Sequence, residues 1–328
     1  MLKNFEKLNK KIILVTGAAG FLGSHICEEI LALNQNNTVI AFDDLSSGTL
    51  KNFTNFKNNR NLVFTKSDAN SLHNLVKIFK QNKIDFVFHH AACVGVKRTA
   101  ENPLQVLNDL NGLKNIFALS YEHKIKKVIF ASSSEVYGEP VEIPEREDGH
   151  LNAKIPYAVV KLTGEKFCEA YFQVKKMPTC ALRFFNVYGP RQDSSDYGFV
   201  TGIFIRQVLQ KKNPTIFGDG TQTRDFVFVK DNVLATIQAL FNEKTNGQII
   251  NIGTGFPITI LELAERVIQI SKEKLNPKFI KQRSTTDIKH RFPDVGRMKK
   301  LINYKPQFDL NQGLKITYDW YAQNSSAK

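Results

Sequence analysis

Short β-branched apolar runs alternate with helix-patterned stretches through the first half of this 328-residue chain, and that alternation constrains the fold most. Residues 11–16, 38–42, 62–64, 86–88, 127–131 and 180–184 are apolar without a polar partner at every second place. Such runs fit strands buried on both faces, as in a parallel sheet covered by helices. Helical patterns follow Gly23 and occupy 72–80, 103–123 and 157–175. The expectation is an α/β fold with a doubly wound parallel sheet, a Rossmann domain over residues 1–185. A smaller C-terminal substrate-binding domain is expected over 186–328, with residues 228–255 returning to pack on the first domain. Doubly wound sheets bind ligands at the carboxyl ends of their strands. The chemistry is therefore expected just after Val15, Phe42, Phe88, Ala131 and Phe184.

The first strand runs into Gly17, Gly20 and Gly23, spaced GxxGxxG, before the first helix. Gly17 suits a tight turn, Gly20 a close approach of pyrophosphate to backbone, and Gly23 a close-packed helix. Backbone amides at the helix start, around Phe21 and Leu22, then face the phosphates. Asp43 stands twenty residues beyond Gly23, at the end of the second strand. A carboxylate there accepts hydrogen bonds from an adenosine ribose and repels a 2′-phosphate, which predicts NAD rather than NADP.

Tyr157 and Lys161 are four apart on an expected helix and so share a face. Ser133 follows the strand at 127–131. A free phenol, with a pKa near ~10, is too weakly acidic to serve as a base at neutral pH, and lowering it by about three units needs roughly 4 kcal/mol. One cation at about 4 Å, at an effective dielectric near ~20, supplies energy of that order. Lys161 and an oxidised nicotinamide are the expected sources. The constellation predicts Tyr157 as base, Lys161 as its partner and Ser133 as a hydrogen-bonding aid.

Composition sets the outer limits. The chain is 42% hydrophobic and 23% charged, ordinary for a globular protein, and carries a net charge of +14. Its basic residues are scattered apart from short runs such as 124–127, so a solvated surface that attracts phosphate-bearing substrates is expected, with no nucleic-acid partner. Cys27, Cys93, Cys168 and Cys180 form no CxxC pair and are expected to be reduced thiols. No metal site is expected. With neither a signal-like start nor an apolar run of spanning length, a cytoplasmic protein without a membrane partner is expected.

Several segments together resemble the extended short-chain dehydrogenase/reductase family, in its nucleotide-sugar epimerase/dehydratase branch. They are residues 16–25, 43–48, 89–92, 131–138, 183–191, 217–226 and 251–255. The resemblance implies a UDP-linked sugar substrate, a homodimer, and further site residues. Asp44, Asp68, Ala69, Ala91, Ala92, Asn108 and Phe184 join the cofactor set. Asn186, Phe217, Arg224, Arg283 and Arg291 join the substrate set, with Ser133 against the reacting sugar oxygen. The implied reaction is 4-epimerisation: Tyr157 removes a proton at O4, hydride passes to NAD, and the 4-keto sugar turns over before hydride returns.

Dehydratases of this family resemble Thr-Asp-Glu where this chain has Ser133, Ser134 and Glu135, so the acid needed to expel a hydroxyl is missing. Glucuronate decarboxylases resemble residues 134–138 and form the alternative. Epimerases are closer at 157–161, except that Val160 replaces a Ser. Near the C-terminus, Arg283 stands one residue farther from Asp287 than in the family pattern. Arg291 falls where a residue lines the sugar pocket near carbon 2. Its bulk is expected to exclude N-acetylated sugars; the alternatives are that it turns to solvent or pairs with a carboxylate, leaving room, or takes over the phosphate contact of the displaced Arg283.

Overall fold

The computed structural model describes residues 8–195, 198–281 and 288–324. Its first half runs β1 (Ile12–Thr16), α1 (Phe21–Leu33), β2 (Thr38–Asp43), β3 (Leu62–Lys66), α2 (Leu72–Gln81), β4 (Phe86–His89), α3 (Val96–Glu101), α4 (Pro103–Glu122), β5 (Lys127–Ser133), α5 (Pro156–Lys175) and β6 (Thr179–Phe184). The second half adds β7 (Asn186–Tyr188), α6 (Val200–Leu209), β8 (Thr215–Phe217), β9 (Thr223–Phe228), α7 (Val229–Phe241), β10 (Gln248–Ile252), β11 (Pro257–Thr259), α8 (Ile260–Ser271), β12 (Lys278–Ile280), β13 (His290–Arg291) and α9 (Leu310–Asn324).

Seven strands form one parallel sheet in the order β3-β2-β1-β4-β5-β6-β10. The expected doubly wound sheet is present. Alternate strand residues serve opposite cores, as the two-residue period of a strand requires. Ile13, Val15, Val39, Ala41 and Phe88 enter one cluster, and Leu14, Ile40, Phe42 and Val87 enter the other. Because both faces are covered, polar residues at alternate places would be buried without partners, which explains the unbroken apolar runs. The winding reverses between β1 and β4, so a crevice opens at their carboxyl ends.

Lys127 corrects the reading of 124–127 as a surface charge run. It is buried at the start of β5, where its ammonium donates to the carbonyls of Ala239 and Asn242 and to the Thr245 hydroxyl at 2.9, 3.1 and 2.6 Å. A cation is favoured at the carbonyl-rich end of α7. Burial still lowers its pKa to about 8. These acceptors lie more than a hundred positions away, so no local pattern marks the residue.

Beyond β6, strands β11, β9 and β13 form a small sheet to which β7 also pairs through β9, and β8 pairs with β12. Among the described residues, no helix is long and apolar enough to cross a membrane. All four cysteines are free thiols.

Candidate active site

The β1–α1 turn is built so closely that side chains cannot enter it. Gly17 has φ +67°, and a Cβ there would lie 2.7 Å from the Ala91 amide nitrogen. At Gly23 a Cβ would overlap the Gly17 carbonyl oxygen, so this glycine seats α1 against the turn rather than against the sheet. Gly20 is less confined and caps α1 through its backbone, accepting from the Ser24 amide at 3.1 Å. Phe21 and Leu22 are half-buried in the first turn of that helix.

Asp43 closes β2 and receives the amides of Ala19 and Leu45 at 2.9 and 2.8 Å. Burial raises its pKa, and those amides pull it back. Each oxygen keeps a free lone pair for a further donor. A cleft of about 360 Å³ brings Gly17, Asp43, Asp44, Asp68, Ala69, Ala91, Ala92 and Asn108 together. Asp44 and Asp68 also brace their own turns, through Ser46 and Asn70. Gly17 brings bare backbone to the cleft wall, Asp43 suits ribose hydroxyls, and three aspartates disfavour a 2′-phosphate. These features fit NAD. Phe184 ends β6 and stacks on His90 with ring centres 5.9 Å apart.

The reacting end lies at the carboxyl end of β5. Ser133 is its last residue, and its hydroxyl caps the short turn Ser134–Tyr137 by accepting from the Glu135 amide at 3.2 Å. The same hydroxyl is near enough to the Tyr157 phenol to favour its ionised form. Pro156 starts α5, where the absent N–H is no loss. One turn on, the Lys161 ammonium donates to the Ala131 carbonyl at 2.7 Å and lies 5.5 Å from the centre of the Tyr157 ring. Burial lowers the Lys161 pKa to about 8, against a smaller opposing pull from Asp109.

The protein groups around Tyr157 do not by themselves produce the expected lowering of its pKa, an expectation that also drew on the charge of an oxidised nicotinamide. Burial raises it, Ser133 offsets part of the rise, and the charges of Glu135, Asp109 and Cys93 add to it. Taking a phenolate out of water outweighs the help from its neighbours.

On the sugar side, Asn186 starts β7 and donates to the Asp225 carbonyl at 3.3 Å. Arg224 on β9 lies in register with Arg291 on β13, and its guanidinium donates to the Thr223 carbonyl at 2.8 Å. Asn186, Arg224 and Arg291 therefore stand on neighbouring strands. Phe217 ends β8 in the separate strand pair and is tied back by Gln222, which donates to its carbonyl at 2.9 Å. Arg283 lies outside the described residues.

Arg291 is buried, at 1% exposure. It donates to the Glu135 carboxylate at 2.6 Å and to the Gly138 carbonyl at 2.5 Å. Its guanidinium is thus directed at Glu135 and the turn, the pairing with a carboxylate that was one of the expected alternatives. A phosphate role would require breaking both bonds.

Four residues enter the site without having been singled out from the sequence. Asp109 lines the cleft beside Asn108 and receives the Cys93 amide at 2.8 Å. The fully buried pair Glu165 and Arg183 lies behind β5, with a 2.8 Å ion pair and the Ser132 hydroxyl donating to the same carboxylate at 2.5 Å. Glu135 was visible only as part of a motif, and its partner Arg291 is 156 positions away.

Residues 13–253 match the model of the NAD dependent epimerase/dehydratase family. The chain belongs to that family. It is an NAD-dependent enzyme of the nucleotide-sugar epimerase, decarboxylase and dehydratase group. It is 36% identical to a UDP-N-acetyl-alpha-D-glucosaminuronate decarboxylase of Bacillus cytotoxicus, over 96% of this chain and 98% of that one. Among solved structures, the UDP-N-acetylglucosamine 4-epimerase of Methanobrevibacter ruminantium in complex with UDP-N-acetylmuramic acid superposes with a TM-score of 0.89. That protein is 34% identical, with 96% and 99% of the two chains covered. A tyrosine-to-phenylalanine mutant of the UDP-glucuronic acid 4-epimerase of Bacillus cereus, with UDP-4-deoxy-4-fluoro-glucuronic acid and NAD, gives 0.85 at 33% identity, covering 95% and 99%.

Proposed function

We propose that the chain oxidises carbon 4 of a UDP-linked hexuronate, releases its carboxylate as CO2, and reduces the 4-keto product. One observation carries this reading: the Glu135–Arg291 pair stands close enough to Tyr157 for Glu135 to act on its phenol, which sets Arg291 on the carbon 4 side of the sugar instead of near carbon 2. Arg291 is buried, but Glu135 remains 39% exposed and its charge reaches the Tyr157 phenol. A sugar carboxylate can replace Glu135 on the guanidinium without leaving that buried cation unbalanced, which would be costly. A neutral hexose offers Arg291 no such exchange. The motif at 134–138 and the decarboxylase relative support the same reading.

In this mechanism Tyr157 takes the O4 proton, with Ser133 holding the oxygen and Lys161 nearby as the cation; the positive charge of bound oxidised NAD would supply the phenolate stabilisation that burial withholds. Bound NAD supplies the hydride acceptor and later the donor. The resulting ketone is β to the carboxylate. When CO2 leaves, the electrons of the bond between carbons 5 and 6 move onto O4 as an enolate, which Tyr157–OH stabilises. A proton drawn from solvent and relayed through the Glu135 carboxylate would reach carbon 5 and restore the ketone. Hydride then returns to carbon 4 and Tyr157 returns its proton to O4, so the reaction is redox-neutral.

Simple 4-epimerisation is the second reading. The spacing of Tyr157 and Lys161 with Ser133 and the epimerase structures favour it. It uses the same oxidation and differs in the return face and the fate of the carboxylate. Incubation with UDP-glucose, UDP-N-acetylglucosamine, UDP-glucuronate and UDP-N-acetylglucosaminuronate, followed by proton NMR, separates the two. CO2 release from either uronate supports decarboxylation, whereas inverted hexose or intact hexuronate as sole product establishes the epimerase. The division near residue 185 and a homodimer belong to the same proposal. Exposed Leu104 and Leu107 on α4 and Val159 and Val174 on α5 suit an interface between copies.

A further inference from the structure

Beneath Arg291 lies a second carboxylate that the mechanism above does not use. Glu145 is 2% exposed, and neither side-chain oxygen has a hydrogen-bond partner. Its backbone is clamped: its amide donates to the Phe292 carbonyl at 2.9 Å, and its carbonyl accepts from the Asp294 amide and the Asn251 side chain, each at 2.9 Å. The side chain is thereby held 3.7 Å from Nε of Arg291, beyond hydrogen-bond distance, and that Nε–H also lacks a partner. Two complementary buried groups face each other across one short gap while the rest of the guanidinium is engaged by Glu135 and Gly138.

We propose that Glu145 is a positioning residue of the sugar pocket, a second carboxylate that competes with Glu135 for the Arg291 guanidinium. The proposal rests on the reading that the sugar lies against Glu135. When Arg291 holds Glu135, Glu145 carries a proton; when Glu145 ionises, it draws Nε–H toward itself and loosens Glu135. The surroundings set this balance. Burial and Glu135 favour the protonated form, while Arg291, Arg224 and Arg183 favour the ionised one, and burial dominates, raising the pKa to about 8. Glu145 therefore fixes which carboxylate faces the reacting carbon in the neutral range, and does so without touching substrate.

The test follows the carboxyl stretch of Glu145 by infrared difference spectroscopy, titrating NAD-loaded wild type, Glu145→Gln and Glu135→Gln. In the wild type a carboxyl band should titrate near pH 8, and Glu145→Gln should remove it. Glu135→Gln leaves Arg291 with Glu145 alone, so the midpoint should fall by at least about one pH unit, a tenfold change in the ionisation constant. In a parallel assay, KM for UDP-glucuronate should rise up to about tenfold between pH 7 and 9 in the wild type and stay flat in Glu145→Gln. A midpoint unmoved by Glu135→Gln, or a Glu145 that titrates in the ordinary carboxylate range, overturns the proposal. If Glu145→Gln does not fold, the Glu135→Gln shift still decides. If no uronate is turned over, the functional reading fails while the infrared titration continues to judge Glu145.

Discussion

Lys161→Met separates the catalytic from the structural reading of the lysine, because the two predict opposite signs. Lys161 is buried, and its pKa falls from 10.5 to about 8. That difference corresponds to about 3.4 kcal/mol disfavouring the folded protein while the ammonium is charged. The cost is fully present below pH 8, declines as pH rises, and vanishes above 10.5, where folded and unfolded chains both hold the neutral amine. Removing the amine also deprives the Ala131 carbonyl of its 2.7 Å donor. That loss costs about 1–3 kcal/mol. At pH 7 the Met variant should accordingly fold as stably as wild type, or up to about 2 kcal/mol more so, while turnover collapses. The sharper quantity is the difference between the two proteins as pH changes, since every other titrating group cancels. Urea unfolding at pH 7 and 9.5 should show wild type gaining about 2 kcal/mol on the variant. A variant much less stable at pH 7, with a gap independent of pH, would refute the reasoning and make Lys161 a structural residue.

Other outcomes follow from the same geometry. Asp43→Ala should narrow the preference for NAD over NADP by at least tenfold, read by calorimetric titration of apoprotein; an unchanged ratio would show that Asp43 only braces Ala19 and Leu45. Glu165→Leu strands the fully buried Arg183 and should cost about 3–5 kcal/mol in urea unfolding, whereas a loss below about 1 kcal/mol would show that Arg183 finds other partners. Leu104→Glu with Val174→Glu should convert a dimer to monomer in analytical ultracentrifugation; a wild type already monomeric at micromolar concentration removes the dimer proposal.

How much could be read from the sequence divides along physical lines. The sheet was legible because strands covered on both faces must be apolar throughout, and the runs at 11–16 and 86–88 reappear as β1 and β4. Gly17 and Asp43 were legible because a turn with positive φ and a strand-end carboxylate are local requirements. The electrostatics were not. Whether Tyr157 rises or falls in pKa depends on burial, which no spacing encodes. Lys127 looked like one of a run of solvated charges until α7 supplied its carbonyl cage. Which of the readings of Arg291 applies could not be told from the sequence, because its partner Glu135, across a long stretch of chain, is brought to it only by the fold. Glu145 has no local signal at all: its meaning lies in Arg291, which stands on β13.

The most direct test of the central claim follows one hydrogen. UDP-glucuronate deuterated at carbon 4 should be processed in unlabelled water, with the product examined by NMR and mass spectrometry. Hydride transfer within a closed site predicts a primary isotope effect on turnover and deuterium retained at carbon 4 of the product, alongside a solvent hydrogen at carbon 5. Label lost from carbon 4 to water would contradict the account, because it would mean that the enzyme abstracts a proton there instead of moving a hydride out and back.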